Sequence, residues 1–290
     1  MALYAFVDEH VAFGPMPLPG DIDELSRVFG AVVVLVEEHE LEYDLDEWGR
    51  RGVEVLHVPT PDMRAPPLPR LHRAAEWILG RVEEGRKVFI HCYGGVGRSG
   101  TVAAAYLAMA RGMGGSEAVE AVREARPGAV EAAEQESMVR AYAYALRSLG
   151  AKELGRIIGI GEEAGWGTCR EWGASKAMQL ALRLGEDLRI ERGCVPLLLS
   201  KVLEGCSISI EAPYRCPHPG LVEGIAELVK PLAKDFDRVA DVVVDAGGSP
   251  VIIQVACTWT CPGTVEEAER AVKKLGDVLG ADVVVEEVPG

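Results

Sequence analysis

The chain has 290 residues, a formal net charge of −15 and a hydrophobic content of 48%. Two domains are expected, because a single hydrophobic core rarely grows to this length. The acidic balance excludes nucleic acid as a general partner, since neutralising a phosphate backbone requires clustered lysine and arginine.

No segment of the sequence predicts membrane insertion or secretion. Every stretch long enough to span a bilayer is interrupted by charge. Residues 1–10 lack a basic stretch followed by an apolar one, which is the pattern of a secretory signal. We therefore expect a soluble, cytoplasmic protein with no membrane partner, and we predict no particular oligomeric state. The absence of asparagine beside abundant glutamate and arginine favours a thermophilic source.

Predicted strands and helices alternate along the first half of the chain. In chain order they are a hairpin (3–8 with 11–13), a helix (21–29), two buried strands (31–36 and 53–58), a helix from 70 to 85, a strand (87–92) and helices at 99–111, 116–126 and 131–149. The two strand runs are rich in β-branched residues, as in strands buried on both faces of a parallel sheet. This order predicts an α/β domain over 1–150, with a central, mainly parallel sheet flanked by helices.

The second half is predicted to be a separate α+β domain, 151–290, of unknown role. Gly150 marks the boundary, because the spacing of apolar residues changes there and six of the seven cysteines lie beyond residue 165. The predicted elements are helices at 171–184, 194–203 and 221–234, a hairpin of 239–244 with 251–256, a helix at 264–279 and a strand at 282–288. This domain is expected to pack on the first one, to govern partner choice or to assist oligomerisation, with substrate recruitment as the alternative.

The cysteines of the second half favour disulfides over a metal site. Cysteine and histidine side chains that invite a zinc hypothesis are Cys206, Cys216, His218, Cys257 and Cys261. Their spacing does not reproduce the paired two-residue gaps of common structural zinc sites. We predict at least one disulfide among the six cysteines, since thermophile cytosols tolerate such bonds. No metal or other cofactor is expected.

The segment 91–101 reads His-Cys-Tyr-Gly-Gly-Val-Gly-Arg-Ser-Gly-Thr and connects a buried strand to the next helix. Its three glycines at 94, 95 and 97 allow successive N–H groups to point inward, which forms an anion-binding nest at the positive end of the helix. Arg98 can add a bidentate contact to two phosphoryl oxygens. The residues expected to surround a bound phosphoryl group are His91, Tyr93, Gly94, Gly95, Val96, Gly97 and Arg98.

Cys92 stands at the entrance of this segment and is the predicted nucleophile. The inward dipoles of the loop stabilise a thiolate, which is the reactive form of cysteine. Ser99 is placed for its hydroxyl to donate to the Cys92 sulfur, and this would help the sulfur to leave a phosphocysteine intermediate. His91 is expected to hydrogen-bond the loop backbone and to fix its shape.

Asp62 is the predicted general acid. It lies on a proline-flanked loop at the carboxyl end of a predicted strand, where α/β sheets bind their ligands. Asp44, Asp46 and Glu47 belong to an earlier acidic connection and are more typical of a solvated face. Arg64 is interpreted as an exposed surface residue, with contact to substrate as the alternative.

In the signature His-Cys, five residues, Arg and Ser, residues 91–99 resemble the protein tyrosine and dual-specificity phosphatase superfamily. The likeness covers about residues 1–148 and is closest to the archaeal-type dual-specificity branch. It implies the phosphatase fold and hydrolysis through a phosphocysteine. It also implies that Asp62 protonates the leaving oxygen and that Gln135 orients the hydrolytic water. Thr60 replaces the tryptophan of many tyrosine-specific members, which favours the dual-specificity branch. Without the likeness, Gln135 would be interpreted as a polar residue on an exposed helix turn.

The loop between Cys92 and Arg98 carries no charge, whereas the family's members that act on inositol phosphates have lysines there. We therefore expect phosphorylated proteins as substrates, with phosphotyrosine, phosphoserine and phosphothreonine favoured over phosphoinositides and over RNA 5′-triphosphate ends. Two alternatives remain. One is a sulfur-transfer or arsenate-reducing enzyme with the same anion loop, against which Asp62 weighs. The other is a phosphoprotein-binding module, which would normally have lost Cys92 or Arg98.

Overall fold

The structure is a computed structural model that describes residues 3–211, 216–234, 239–245, 251–257 and 283–289, together with positions 270, 273, 275 and 276. The chain separates into two compact units, Met1–Ala143 and Tyr144–Gly290. The division falls inside a helix that runs to Leu149, whereas the sequence analysis places the boundary at Gly150.

The first unit is built on a five-stranded mixed sheet. Its strands are β1 (Ala5–Phe6), β2 (Val11–Gly14), β3 (Ala31–Val34), β4 (Glu54–His57) and β5 (Val88–His91), in the order β1-β2-β5-β3-β4. Strand β1 is antiparallel to β2, and all other neighbours are parallel. The predicted hairpin and the mainly parallel sheet are therefore confirmed.

The register of the sheet brings several strand ends to one edge. Strand β5 lies in the centre, and His91 at its end pairs with Gly14 on one side and with Val34 on the other. All residues of β2, β3 and β5 are buried, as expected for β-branched strands covered on both faces. The segments that follow these strands therefore converge at the carboxyl edge of the sheet, where ligands of α/β folds bind.

Six helices flank this sheet. They are α1 (Ile22–Leu25), α2 (Asp46–Gly49), α3 (Leu68–Glu83), α4 (Gly97–Arg111), α5 (Gly115–Ala125) and α6 (Ala133–Leu149). Helix α4 follows β5 directly and is buried from Gly97 to Ala108, which makes it the most enclosed helix of the unit. The helix predicted at 21–29 is much shorter, because the N–H groups of Val28 and Phe29 both bond to the carbonyl of Leu25 and close the chain into turns.

The described residues of the second unit form four helices and a three-stranded sheet. The helices are α7 (Ala151–Glu163), α8 (Arg170–Asp187), α9 (Val195–Glu204) and α10 (Pro219–Lys234), and the strands are β6 (Val239–Asp245), β7 (Val251–Cys257) and β8 (Val283–Pro289). The antiparallel pairing of β6 with β7 confirms the predicted hairpin, and β8 pairs parallel to β7. Most of the helix predicted at 264–279 lies outside the described residues.

Helix α7 was not predicted from the sequence. Its glycines at 155, 159 and 161 are typical of a linker, and the stretch after Gly150 was interpreted as a domain boundary. In the structure Leu154, Ile157 and Ile158 recur at helical spacing and are buried. Burial of this apolar stripe therefore overrides the low helix propensity of glycine.

Among the described residues, two disulfides connect the helical part of the second unit. Cys169 bonds to Cys206, and Cys194 bonds to Cys216. The prediction of at least one disulfide among the six cysteines is confirmed. Cys206 and Cys216, which the zinc hypothesis would have used, are paired with other cysteines instead, while Cys261 lies outside the described residues. Within the described ranges no helix has the length and apolar character needed to cross a membrane.

Candidate active site

The loop between β5 and α4 is shaped by close backbone packing at Gly95. Its φ angle is +72°, a left-handed value that favours glycine. A Cβ atom at this position would lie 2.1 Å from the backbone nitrogen of Pro15, just beyond β2. The N–H of Gly95 donates to Cys92 Sγ at 3.2 Å. The loop therefore rests on the end of β2 and directs a backbone N–H towards the sulfur.

Gly97, the first residue of α4, provides a second close contact. A Cβ atom there would lie 2.7 Å from Glu131 Oε2 and 2.9 Å from Gln135 Nε2. Nothing lies within 4 Å of a Cβ atom built at Gly94, which is exposed. The glycine at 97 thus allows the start of α6 to approach the loop. The carbonyl of Val96 accepts hydrogen bonds from the N–H groups of Gly100 and Val130, which fix the turn into the helix.

Cys92 lies at the floor of the loop and is 3% exposed. Its sulfur is 3.4 Å from Ser99 Oγ, in addition to the contact with the Gly95 N–H. The Gly95 N–H therefore donates to the sulfur, and the Ser99 hydroxyl is within reach to donate as well when the sulfur is a thiolate. The structure brings together the predicted nucleophile and the predicted hydroxyl donor.

Arg98 is buried, with a side chain that is 1% exposed. Its Nη1 atom donates to Glu40 Oε2 at 2.6 Å and to the carbonyl of Thr60 at 2.9 Å, and its Nη2 atom donates to Glu40 Oε1 at 2.9 Å. Within the part of the chain that the structure describes, Arg98 Nε has no hydrogen-bond partner. A buried donor without a partner is costly, and here it belongs to the predicted oxyanion ligand.

The carboxylate of Glu40 compensates the charge of Arg98. The hydrogen bond from Arg98 holds the pKa of Glu40 below its ordinary value, against the opposing effect of burial. Glu40 therefore stays ionised at neutral pH, and its two oxygens orient both terminal nitrogens of the guanidinium.

Asp62 lies at the same guanidinium. Its side chain is 73% exposed, and Oδ1 is 3.1 Å from Arg98 Nη2. It belongs to a tight turn after β4, in which the N–H of Arg64 bonds to the carbonyl of Pro61 and Met63 has a left-handed φ of +60°. A non-glycine residue in this conformation costs roughly 1–2 kcal/mol, so other contacts must hold the turn. The structure places the predicted acid beside the predicted phosphate cradle.

The other candidate acids are engaged elsewhere. Asp44 pairs with Arg50 at 2.9 Å, and both side chains are more than half exposed. Glu47 pairs with Arg51 at 2.6 Å. These contacts are typical of a solvated surface, as the sequence analysis expected for this connection.

Gln135 is buried, although its pattern without the family likeness predicted an exposed helix turn. Its Oε1 atom accepts from the N–H of Ala132 at 3.1 Å, and its Nε2 atom donates to the carbonyl of Arg64 at 3.2 Å. Arg64 was interpreted as an exposed surface residue, yet it is half-buried and its Nε atom is 3.0 Å from Glu134 Oε2. Both predicted residues thus meet where α6 begins.

His91 contacts both the backbone of the loop and the side chain of Tyr43. Its Nδ1 atom is 3.3 Å from the carbonyl of Cys92, and its Nε2 atom is 2.7 Å from the hydroxyl of Tyr43. A carbonyl only accepts, so Nδ1 carries the proton and Nε2 accepts from Tyr43. Burial lowers the pKa of His91 to about 4 and keeps the ring neutral, while burial raises the pKa of Tyr43 to about 12.

Glu40 and Tyr43 are site residues that the sequence analysis missed. Both lie in the acidic connection after β3, in which the sequence analysis considered only Asp44, Asp46 and Glu47 and interpreted them as a solvated face. The sequence signal that could have identified them is the position of this connection, because a segment that follows an inner parallel strand emerges at the carboxyl edge of the sheet. A third residue of this connection, Glu42, accepts a hydrogen bond at 3.3 Å from Tyr93, which is 53% exposed.

Comparisons with known proteins agree with this geometry. A family model described as the DSP-PTPase phosphatase domain of a Swiss Army Knife protein, PTP-SAK, matches residues 15–139. The phosphatidylglycerophosphatase and protein-tyrosine phosphatase 1 of Mus musculus is 33% identical over 132 residues, which cover 42% of this chain and 67% of that protein. The phosphatidylglycerophosphate phosphatase PTPMT2 of Arabidopsis thaliana is 31% identical over 123 residues, which cover 42% of this chain and 54% of that protein.

Among solved structures, Tk-PTP in its active form is 52% identical to the chain. The match covers 49% of this chain and 96% of that one, with a TM-score of 0.48. No family model matches the C-terminal half of the chain.

Proposed function

Because the chain belongs, through residues 15–139, to the DSP-PTPase phosphatases of the protein tyrosine phosphatase superfamily, we propose that this phosphoric monoester hydrolase acts on phosphorylated proteins. Phosphotyrosine, phosphoserine and phosphothreonine are the proposed substrates. The Cys92 thiolate forms a bond to phosphorus while the ester P–O bond breaks, and Asp62 gives its proton to the departing oxygen.

The second half of the reaction regenerates the enzyme. Water attacks phosphorus, the S–P bond breaks, and the Asp62 carboxylate takes a proton from the water. Ser99, at 3.4 Å from the sulfur, donates to the thiolate as it leaves. Inorganic phosphate is then released, and the cysteine and the protonated aspartate are ready for another cycle.

The observation that carries this proposal is the hydrogen bonding of the Arg98 guanidinium. Its terminal nitrogens are held by Glu40 and by the carbonyl of Thr60, and Nε is buried without a partner among the described residues. On the same loop a backbone N–H and a hydroxyl converge on Cys92. A tetrahedral oxyanion at this loop would satisfy Nε and place phosphorus in reach of the sulfur.

The charge around the loop supports a peptide substrate. Glu42 accepts a hydrogen bond from the exposed loop residue Tyr93, which places its carboxylate at the edge of the loop. No lysine or arginine lies between Cys92 and Arg98 in the sequence. Such a rim attracts positive charge and repels a second phosphate, which favours a single phosphoryl group on a peptide with basic neighbours.

A lipid phosphate ester is the second candidate. Relatives named as phosphatidylglycerophosphatases suggest it. The exposed side chains of Met63 and Tyr93, which directly follow the predicted acid and the predicted nucleophile, would also suit an acyl or glyceryl chain.

The test compares substrates at equal concentration. p-Nitrophenyl phosphate should be hydrolysed in the presence of a metal chelator, and Cys92→Ser should abolish turnover. Phosphopeptides with lysine beside the phosphorylated residue should then give a higher kcat/KM than matched peptides with glutamate and than phosphatidylglycerophosphate in mixed micelles. A highest kcat/KM on the lipid would assign the second candidate instead, and turnover by Cys92→Ser would refute the mechanism.

A further inference from the structure

The turn that carries Asp62 is attached to the start of α6 through Arg64. The carbonyl of Arg64 accepts a hydrogen bond from Gln135 Nε2 at 3.2 Å. The guanidinium of the same residue pairs with Glu134, with Nε 3.0 Å from Oε2. Two consecutive residues of α6 therefore hold the backbone and the side chain of one residue in the acid turn.

This attachment is firm on the side of α6. Gln135 is buried, and its Oε1 atom is fixed by the N–H of Ala132 at 3.1 Å. Glu134 is 17% exposed and Arg64 is 31% exposed, so their ion pair is partly shielded from water. The amide of Gln135 also lies against Gly97 of the phosphate loop, where an added Cβ would be 2.9 Å from Nε2.

The turn itself needs such support. Asp62 is exposed and Met63 has a left-handed φ of +60°, so the conformation is not favoured by local preference. Among the described residues the ion pair with Arg98 at 3.1 Å is the one side-chain contact of Asp62, and a bound phosphoryl group would compete for that guanidinium. Once substrate is bound, the contacts through Arg64 are therefore the ones that keep Asp62 over the leaving oxygen.

We propose that Glu134 and Gln135 are positioning residues for the general acid, acting through Arg64. The inference rests on the proposed function, because it concerns the proton that Asp62 delivers. It gives Gln135 a task in the first chemical step, in addition to the water-orienting task that the family likeness implies for the second. A displaced acid slows only those substrates whose leaving oxygen needs a proton.

The test measures kcat/KM, which reports the steps up to the phosphocysteine, for two aryl phosphates. p-Nitrophenolate leaves readily without a proton, whereas phenolate is a stronger base. Arg64→Glu and Glu134→Arg should each lower kcat/KM for phenyl phosphate by about 10-fold, within the range that general-acid catalysis contributes. For p-nitrophenyl phosphate both should stay within about twofold of the parent, because the proton is not needed there.

Exchanging the charges of Arg64 and Glu134 in one double variant should restore the ion pair and, with it, the hydrolysis of phenyl phosphate. The double variant Arg64→Glu/Glu134→Arg is expected to recover phenyl phosphate turnover to within about threefold of the parent. Gln135→Glu keeps the acceptor for Ala132 but loses the donor to Arg64, and it should lower kcat/KM for phenyl phosphate more than for p-nitrophenyl phosphate. Asp62→Asn gives the size of the effect when the acid is lost completely.

Arg156→Glu serves as the matched control, because it breaks a comparable pair with Glu153, at 2.7 Å, on the surface of the second unit. It should leave both substrates unchanged. Equal losses on both substrates, or no recovery in the double variant, would overturn the positioning role while the proposed function stands. Absence of any turnover by the parent protein would instead refute the proposed function.

Discussion

Protonation of His91 should destabilise the first unit as the pH falls below neutrality. Burial lowers the pKa of His91 from 6.5 to about 4. The folded state therefore binds this proton less readily than the unfolded state, so the stability that the neutral ring contributes is complete above pH 6.5. It is lost progressively as the pH falls towards 4.

The size of the effect follows from the shift. Each pKa unit corresponds to about 1.4 kcal/mol, so the full contribution is about 3 kcal/mol. Linkage gives a loss of about 2 kcal/mol of this by pH 5, where the ring is protonated in the unfolded chain and still neutral in the folded one.

The assay is hydrogen exchange of the backbone amides of Phe89 and Ile90, which lie in the central strand β5 beside His91. Their opening free energies are compared between pH 7 and pH 5 in the parent protein and in His91→Gln, which has no titrating ring. The parent should lose about 2 kcal/mol more than the variant, since all other histidines are shared by both proteins. Equal pH dependence in the two proteins would refute the claim that burial holds His91 neutral.

Three further changes have defined outcomes. Glu40→Ala leaves the buried charge of Arg98 without its bidentate partner, so the free energy of unfolding should fall by about 2 kcal/mol. Inorganic phosphate should then raise the melting temperature more in this variant than in the parent. Equal shifts in melting temperature would contradict the role of Glu40 in balancing the charge of Arg98. Gly95→Ala drives a Cβ onto the backbone beyond β2 and should lower kcat/KM by at least about 100-fold, whereas Gly94→Ala, with open space around it, should retain most activity. Cys194→Ser opens a loop of 22 residues closed by a disulfide to Cys216, and urea unfolding of the second unit should show a loss of about 3 kcal/mol; the same midpoint as the parent would contradict the bond.

The sequence predicted those parts of the fold that local pattern determines. The strands β3 and β5 were predictable because their apolar, β-branched runs are continuous. The loop between β5 and α4 could be assigned as a phosphate-binding loop from the sequence because its cysteine, glycines and arginine are adjacent in the chain, and this assignment stays a prediction. Helix α7 was missed because the change in apolar spacing after Gly150 was interpreted as a domain boundary, and tertiary burial of Leu154 and its neighbours explains the helix.

The partners of the loop were less accessible to sequence reasoning. Glu40 reaches Arg98 across 58 positions, and Tyr43 reaches His91 across 48. Such pairings depend on how an acidic connection folds back over the sheet edge, which no local pattern encodes. The attachment of Arg64 to Gln135 across 71 positions belongs to the same class. For Glu40 and Tyr43 the usable signal was that their segment follows a parallel strand. The acidic residue types of this segment alone suggested a solvent-exposed surface.

The close packing of Gly95 against the backbone just beyond β2 has a consequence for how the loop folds. The loop between β5 and α4 packs against Pro15, about 80 positions earlier in the chain, and bringing such distant segments together is a slow step in folding. A peptide that contains only residues 91–99 and helix α4 would lack the backbone of residues 14 and 15, against which the loop packs. Removal of β1 and β2 should therefore abolish the proposed activity, even though Cys92 and Arg98 are still present.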